Sequence, residues 1–359
     1  MHLTARLLLA AAIALLTHAA LAMPLLATGP WLNDAPMLAG AARSPARSDA
    51  PAPRRPLYTL AANTETIRRN EDARRIAVVY PDLGEPYRSV FQQILSGIEQ
   101  TAPDRVVSIA LSDPEHPESL AEMLRKKGVT VVIALGRRGL KAASDLPATL
   151  PVVGGAVLAS PEDGPGATTL VSLTPDPSLL LQRLQQLAPS VRRVFTVYSA
   201  RQNDWLIAFA QRAAKAQGLE LVTVETDDLR TALQRFREIF ETAQAGRDAI
   251  WLPQDTAVLD EQVVLPFVLQ QAWDRSLIVF SSTLAHVRRG ALFALYPDNV
   301  DMGRQLATTA LELGNTSGQA RTVQPLREVR LALNTRTAGH LGIALESSLK
   351  DVALLFPVR

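Results

Sequence analysis

The sequence predicts an α/β protein built as two doubly wound, mainly parallel-sheet lobes. Three observations carry that expectation. Short apolar runs rich in β-branched residues alternate with segments whose apolar positions recur at helical spacing. The alternation starts abruptly at Arg75, and it restarts after a Gly/Pro-rich stretch at 161–166. Continuous apolar runs suit strands covered on both faces. Strands separated by helices need crossover connections, which make parallel pairing. A restart favours two similar lobes over one long sheet.

The elements follow in order. Ile76–Tyr80 reads as a buried strand ending in the turn cluster Pro81 to Gly84, and Val90, Phe91, Ile94, Leu95 and Ile98 mark a helix face. Strand Val106–Leu111 leads to Asp113-Pro114, which suits the N-cap and first position of a helix reaching Lys127. Strand Val129–Leu135, a helix from Gly136 through Ala143 and strand Pro151–Val153 close the first cycle.

In the second cycle Thr174-Pro175 opens a helix through Leu187, and Val194–Tyr198 is a strand. Trp205, Leu206, Phe209, Ala213 and Ala216 share one helix face; after strand Leu219–Val224, Leu229, Leu233, Phe236, Phe240 and Ala243 share another. Strand Ala249–Leu252, helical turns around Pro266 and strand Leu277–Phe280 complete it. The remainder (strand Ala291–Tyr296, helix Asp298–Leu313, strand Val329–Leu333, helix Thr337–Leu341) exceeds what either cycle needs to close.

Before Arg75 the pattern is different. Met1 to Ala22 has Arg6, an apolar run from Leu7 to Leu16, and Ala20-Leu21-Ala22, the pattern of a cleavable export signal. An uncleaved anchor reaching Ala27 is the alternative, and His18 and Pro24 interrupt it. Residues 23–74 carry seven prolines, Pro24 to Pro56, in an Ala-rich stretch without periodicity, and read as a tether. The roughly 285 residues that follow are enough for two proper cores.

Composition removes several functions. Among 359 residues there is no cysteine, which excludes disulfides, Cys-ligated zinc, iron–sulfur clusters and thiol nucleophiles. Lys+Arg number 37 against 35 Asp+Glu, so the net charge of +2 supplies no broad basic field for nucleic acid. No Gly-x-Ser-x-Gly elbow, Walker A loop or Gly-x-Gly-x-x-Gly follows a strand. His116, His286 and His340 lack i,i+4 ligand spacing and read as surface or helix-end histidines; Asp227-Asp228 reads as a helix cap. No catalytic constellation emerges, and no cofactor or metal is implied.

Open α/β sheets bind ligands beyond the carboxyl ends of their strands. Those positions are Tyr80 to Gly84, Gly136 to Arg138, Val157 to Ser160, Tyr198 to Asn203, Gln254-Asp255, Ser281 to Thr283 and Tyr296 to Asp298. The candidate ligand-binding residues among them are Asp82, Arg137, Ser160, Tyr198, Asn203, Asp255, Ser282, Thr283 and Tyr296. Hydroxyls, amides, a carboxylate, a guanidinium and aromatic rings together suit an organic solute with polar ends.

From Arg75 to about Ile343 the chain resembles the tryptophan/tyrosine-type family of ABC-transporter substrate-binding proteins. The segments that carry the resemblance are Val194–Leu221, Phe280 to Gly290 (FSSTLAHVRRG), Leu295 to Gln305 (LYPDNVDMGRQ) and Val329 to Gly342 (VRLALNTRTAGHLG). Its most diagnostic pieces are Gly303-Arg304-Gln305 and Asn334 followed by Thr337-Ala338. The resemblance implies a type I periplasmic-binding-protein fold, in which the chain crosses between lobes three times. Lobe 1 is then 75–170 plus 291–322, and lobe 2 is 173–290 plus 328–359. Gln254-Asp255 matches the family's Asn-Asp, which gives Asp255 the role of holding a ligand amino group. Ser281-Ser282 matches Ala-Ser, with Thr283 in place of the family's Asp. Leu158, Ala159 and Ser160 stand where Thr-Asp-Pro is usual, and Tyr296 replaces a glycine, so lobe 1 has fewer polar groups and more bulk.

These readings lead to a monomeric, non-enzymatic periplasmic protein. It would bind a small organic solute, amino-acid-like or another small metabolite, between the lobes and deliver it to an ABC permease. Arg137, at a helix N-terminus, would clamp a carboxylate or phosphate. The alternative is a module with a degenerate cleft that serves a membrane sensor or outer-membrane uptake system through protein contacts.

Overall fold

The computed structural model describes residues 75–85, 87–111, 120–158, 169–313, 322–345 and 351–357. The expected signal, the tether, the Asp113-Pro114 cap and Ser160 lie outside the described residues. The first cycle runs β1 (Ile76–Pro81), α1 (Tyr87–Thr101), β2 (Val106–Leu111), α2 (Leu120–Lys126), β3 (Val131–Leu135), α3 (Gly136–Ser144), β4 (Val152–Val157) and β5 (Thr169–Pro175). The second runs α4 (Pro177–Leu187), β6 (Arg193–Tyr198), α5 (Ala200–Ala216), β7 (Glu220–Glu225), α6 (Leu229–Thr242), β8 (Asp248–Leu252), α7 (Val264–Asp274), β9 (Ile278–Ser281) and α8 (Leu284–Arg289). The tail supplies β10 (Phe293–Pro297), α9 (Asn299–Leu313), β11 (Thr322–Leu326), β12 (Val329–Asn334), α10 (Thr335–His340) and β13 (Val352–Phe356). No described helix is long and apolar enough to cross a membrane.

Two sheets result. The first, of order β11-β5-β4-β3-β1-β2, is parallel throughout. The second, of order β13-β12-β10-β9-β8-β6-β7, is parallel except where β10 meets β12. Apolar runs appear because successive strand residues face opposite layers and both layers are buried. In the first sheet Ile76, Val78 and Ile133 pack with Phe91 and Ile94 of α1 and Met302 and Leu306 of α9. Their neighbours Ala77, Val79 and Val132 pack with Leu124 of α2 and Leu140 of α3 on the other side.

The chain passes between the sheets three times: from β5 to α4, from β10 to α9, and from β11 to β12. Hydrogen bonds tie the crossings together. The Asp176 amide donates to Leu326 O at 2.8 Å, and the Asp298 amide donates to Glu328 O at 3.0 Å. Arg327 reaches the Asp176 carboxylate at 2.6 Å and Arg330 reaches Asp298 at 3.3 Å.

Two boundaries fall elsewhere than the sequence reading placed them. Phe293–Pro297 belongs to the second sheet, between β9 and β12, so the second crossing follows Pro297 rather than preceding Ala291. The apolar run Phe293–Leu295 is at most 4% exposed and lies between β9 and β12. The Thr174-Pro175 pair closes β5 rather than opening a helix. Asp176 is the N-cap of α4, its carboxylate accepting from the Ser178 amide at 2.8 Å, with Pro177 in the first helical turn.

Candidate functional site

In the second sheet β9, β8 and β6 are neighbours, so the loops leaving their carboxyl ends lie side by side. Asp255 is central to them. It is 3% exposed, and its Oδ2 accepts from the Ser199 amide at 2.7 Å and from Asn203 Nδ2 at 2.9 Å. Its Oδ1 accepts from the Ala257 amide at 3.0 Å. Ser199 is the N-cap of α5 but makes no side-chain cap bond. The carboxylate of Asp255 therefore clasps the mouth of α5, where negative charge is favoured. Gln202 adds a reciprocal pair with Thr256, both bonds at 3.2 Å. Of the expected site residues, Asn203 and Asp255 are in direct contact.

Ser282 and Thr283 follow β9. The Ser282 amide donates to Leu252 O at 3.0 Å, and its hydroxyl accepts from Trp251 Nε1 at 3.1 Å. This fixes the β9 loop against the end of β8. Thr283 is the N-cap of α8 without a side-chain cap bond, and its Oγ1 is buried with no hydrogen-bond partner among the described residues.

Beneath them lies a pair that spacing did not reveal. Ser281 Oγ stands 2.7 Å from Nδ1 of His286, the third residue of α8. The same hydroxyl donates to Leu252 O at 3.0 Å and accepts from the Thr283 amide at 3.0 Å. Its only proton being given to Leu252, the proton of the third contact belongs to His286 Nδ1. Ser281 is fully buried and His286 is 5% exposed, so this is an internal strut rather than an accessible nucleophile and base. His286, expected as a surface or helix-end histidine, does lie in the last turn of α8 but is not at the surface: it turns inward because α8 packs on β9 and β10.

Burial lowers the His286 pKa from its usual 6.5 to about 4. Between those values the unfolded chain takes up a proton that the folded chain refuses. Stability is therefore complete above pH 6.5 and declines as pH falls toward 4, by up to about 3 kcal/mol. Thermal unfolding of the wild type is expected to lose more between about pH 7 and pH 4.5 than that of His286→Gln. Equal losses would contradict the assignment.

Tyr198, a candidate ligand-binding residue, ends β6. It is 7% exposed and packs with the core of the second lobe, and burial is the main cause that pushes its phenol pKa up. Tyr296 is half-buried on β10 opposite Arg330 of β12, its pKa also raised chiefly by burial.

In the first sheet β1 and β3 are neighbours. Asp82 follows β1 and is exposed. Arg137 is exposed in the first turn of α3. That helix starts directly from β3 because Gly136 adopts a left-handed φ of 70°, and no side chain caps it. Helices α3 and α5 thus open toward the carboxyl edges of their sheets without side-chain caps. Asp228, Asp176 and Asn334 cap α6, α4 and α10. The Asp228 carboxyl is held below its usual pKa, first by the Thr231 amide.

Two cavities lie elsewhere in the second lobe. One of about 630 Å³ sits against the crossings, between α4 and strands β10, β12 and β13. Another of about 590 Å³ lies where α7, α8 and α10 meet.

Comparison with known proteins follows the same lines. The sequence profile described as ABC transporter substrate binding protein matches residues 91–354. The structure is similar to the ligand-free, open structure of a substrate-binding protein with adhesive properties from Clostridium difficile. The TM-score is 0.55 at 15% identity, over 80% of this chain and 100% of that one. It is also similar to an ABC domain in complex with L-Trp from Streptococcus pneumonia, with a TM-score of 0.46 at 19% identity, over 79% and 100% of the two chains. A conserved domain protein from Vibrio cholerae gives a TM-score of 0.44 at 18% identity, over 79% and 99%. No curated protein matches significantly in sequence.

Proposed function

The chain belongs to the ABC transporter substrate-binding protein family, and from that premise we propose that it is an exported, non-enzymatic receptor for a small organic solute. It would hold that solute between its lobes and present it to an ABC permease at the outer face of the inner membrane. One observation carries this reading: polar loops stand at the carboxyl edges of two parallel sheets joined by three crossings. Hinge motion about those crossings would close the lobes on the solute and mark the loaded state for the permease.

The two edges differ in charge, and that difference supports an amino-acid-like or related zwitterionic solute. The first offers Arg137 and the uncapped start of α3, both suited to a carboxylate. The second offers Asp255 with Asn203 and the Thr283 hydroxyl, suited to an ammonium or another donor. Three donors already occupy Asp255. Its carboxylate is thus pre-oriented, and its one remaining lone pair, on Oδ1, would meet the ligand without a reorganisation cost.

The expected result is a rise in Tm of purified protein with one class of amino acid or related metabolite, equivalent to about 2.7 kcal/mol at a hundredfold excess over Kd. Arg137→Ala should leave the ligand-free Tm unchanged, because its side chain is exposed and has no hydrogen bond or ion pair among the described residues. It should weaken the solute about tenfold or more. An undiminished shift in that variant would remove Arg137 from the site. A panel without any shift would count against solute capture.

A further inference from the structure

The cavity where α7, α8 and α10 meet has an unusual lining. Three arginines, Arg288, Arg289 and Arg336, converge there with Trp273, Leu269 and Pro266, and no carboxylate lines it among the described residues. It lies at the far end of the second sheet from the solute loops. Gly290 leads into β10, Asn334 ends the antiparallel β12, and Trp273 closes the helix before β9.

Two of the three guanidinium groups lie against aromatic faces. Arg336 stands 5.4 Å from the centroid of Trp273, whose ring also stacks on His340 at 3.7 Å. Arg288 stands 5.6 Å from the ring of Phe356. Neither has an ion-pair partner among the described residues, whereas Arg289 pairs with Glu261 at 3.1 Å. The other cavity makes the contrast. There Arg183, Arg327 and Arg330 each face a carboxylate, of Asp351, Asp176 and Asp298 respectively.

We propose that this cavity is a second ligand site, distinct from the interlobe cleft, which takes a phosphate-bearing molecule. A phosphate monoester brings nearly two negative charges and three acceptor oxygens. Two unpaired guanidinium forks meet those oxygens bidentately, and a third adds charge. Cation–π contact fixes the forks before the ligand arrives, so little side-chain entropy is lost on binding. The same chemistry serves a soluble phosphate ester and an anionic lipid headgroup.

Titration of the full chain with inorganic phosphate, followed by calorimetry at constant ionic strength, tests the site. Saturable binding is expected, about tenfold weaker in Arg288→Ala and in Arg336→Gln, and absent from the double variant, with the ligand-free Tm unchanged. Arg125→Ala, an exposed arginine on α2 outside both sites, should bind phosphate like the wild type. No saturation in the wild type, full binding by the double variant, or loss in Arg125→Ala would each overturn the proposal. Equal binding of acetate would overturn the phosphate class. With the site established, vesicles containing phosphatidylglycerol against vesicles of phosphatidylcholine alone distinguish the sources. Arginine-dependent retention on the first assigns a headgroup, and binding of free phosphate without such retention assigns a soluble ester.

Discussion

Gly303→Val is expected to cost about 3 kcal/mol or more and to disorganise the first lobe. Helix α9 lies on α1, and the two backbones approach closely at a pair of glycines. A Cβ on Gly303 would stand 2.1 Å from Ile94 O, and one on Gly97 would stand 1.9 Å from Val300 O. Both obstacles are backbone carbonyls, which cannot rotate away as a side chain can. The helices would have to separate, opening the packed layer of Ile94, Ile98, Met302, Leu306 and Ala310. Because α9 follows the second crossing, the damage would reach the hinge. Urea midpoints should fall in the order wild type, Gly303→Ala, Gly303→Val. Gly339→Ala in α10 is the control, since nothing lies within 4 Å of its added Cβ, and it should be neutral or slightly stabilising. A wild-type midpoint for Gly303→Val would mean that the helices do not meet as described.

Asp248→Ala should destabilise the second lobe by about 3 kcal/mol. Asp248 is fully buried at the start of β8. Its carboxylate accepts from Arg193 Nε at 3.1 Å, Arg193 Nη2 at 2.6 Å and the Gln244 amide at 2.8 Å. The hydrogen bond that the Arg193 side chain donates to Asp248 is the main cause that raises the Arg193 pKa. Removing the acid strands a partly buried guanidinium and a backbone donor together, so the loss exceeds the worth of the pair itself. The double variant Arg193→Met/Asp248→Leu should regain most of the stability that Asp248→Ala loses. Chemical denaturation of the cycle checks this, and simple additivity of the single losses would contradict it.

Central strands were legible in the sequence because burial on both faces writes an unbroken apolar run. Val131–Leu135 and Ala249–Leu252 are the clearest cases. The edge strands β11 and β13 were not, although β2 and β7, also at sheet edges, were. β11 reads Thr-Val-Gln-Pro-Leu, is exposed at its start and has a neighbour on one side only, so nothing in it demands an apolar pattern. β13 is an edge strand with Leu354 and Leu355 exposed, and periodicity does not mark it either. Gly303 was visible as part of a family signature, but its reason, contact with a carbonyl of α1, lies about two hundred residues away in sequence.

The site was legible in the same uneven way. Asp255 could be named from its place after a strand, and the structure adds how it is used: as a clasp on α5 with donors on both oxygens. Tyr198 could not be sorted from sequence, since an aromatic residue at a strand end suits a ligand wall and a core equally well. The Ser281–His286 strut and the Arg288, Arg289 and Arg336 cluster depend on how short helices fold back onto strand ends, and no linear spacing encodes that.

Lobe closure on a solute is the most direct test. Because the chain contains no cysteine, Lys141→Cys on α3 and Arg201→Cys on α5, both exposed, would place one spin label on each lobe. Pulsed electron resonance then reads the distance between them with and without a solute that raises Tm. A broad distribution that shortens and narrows on binding is the predicted result. An unchanged distribution in the solute-saturated protein would contradict capture between hinged lobes.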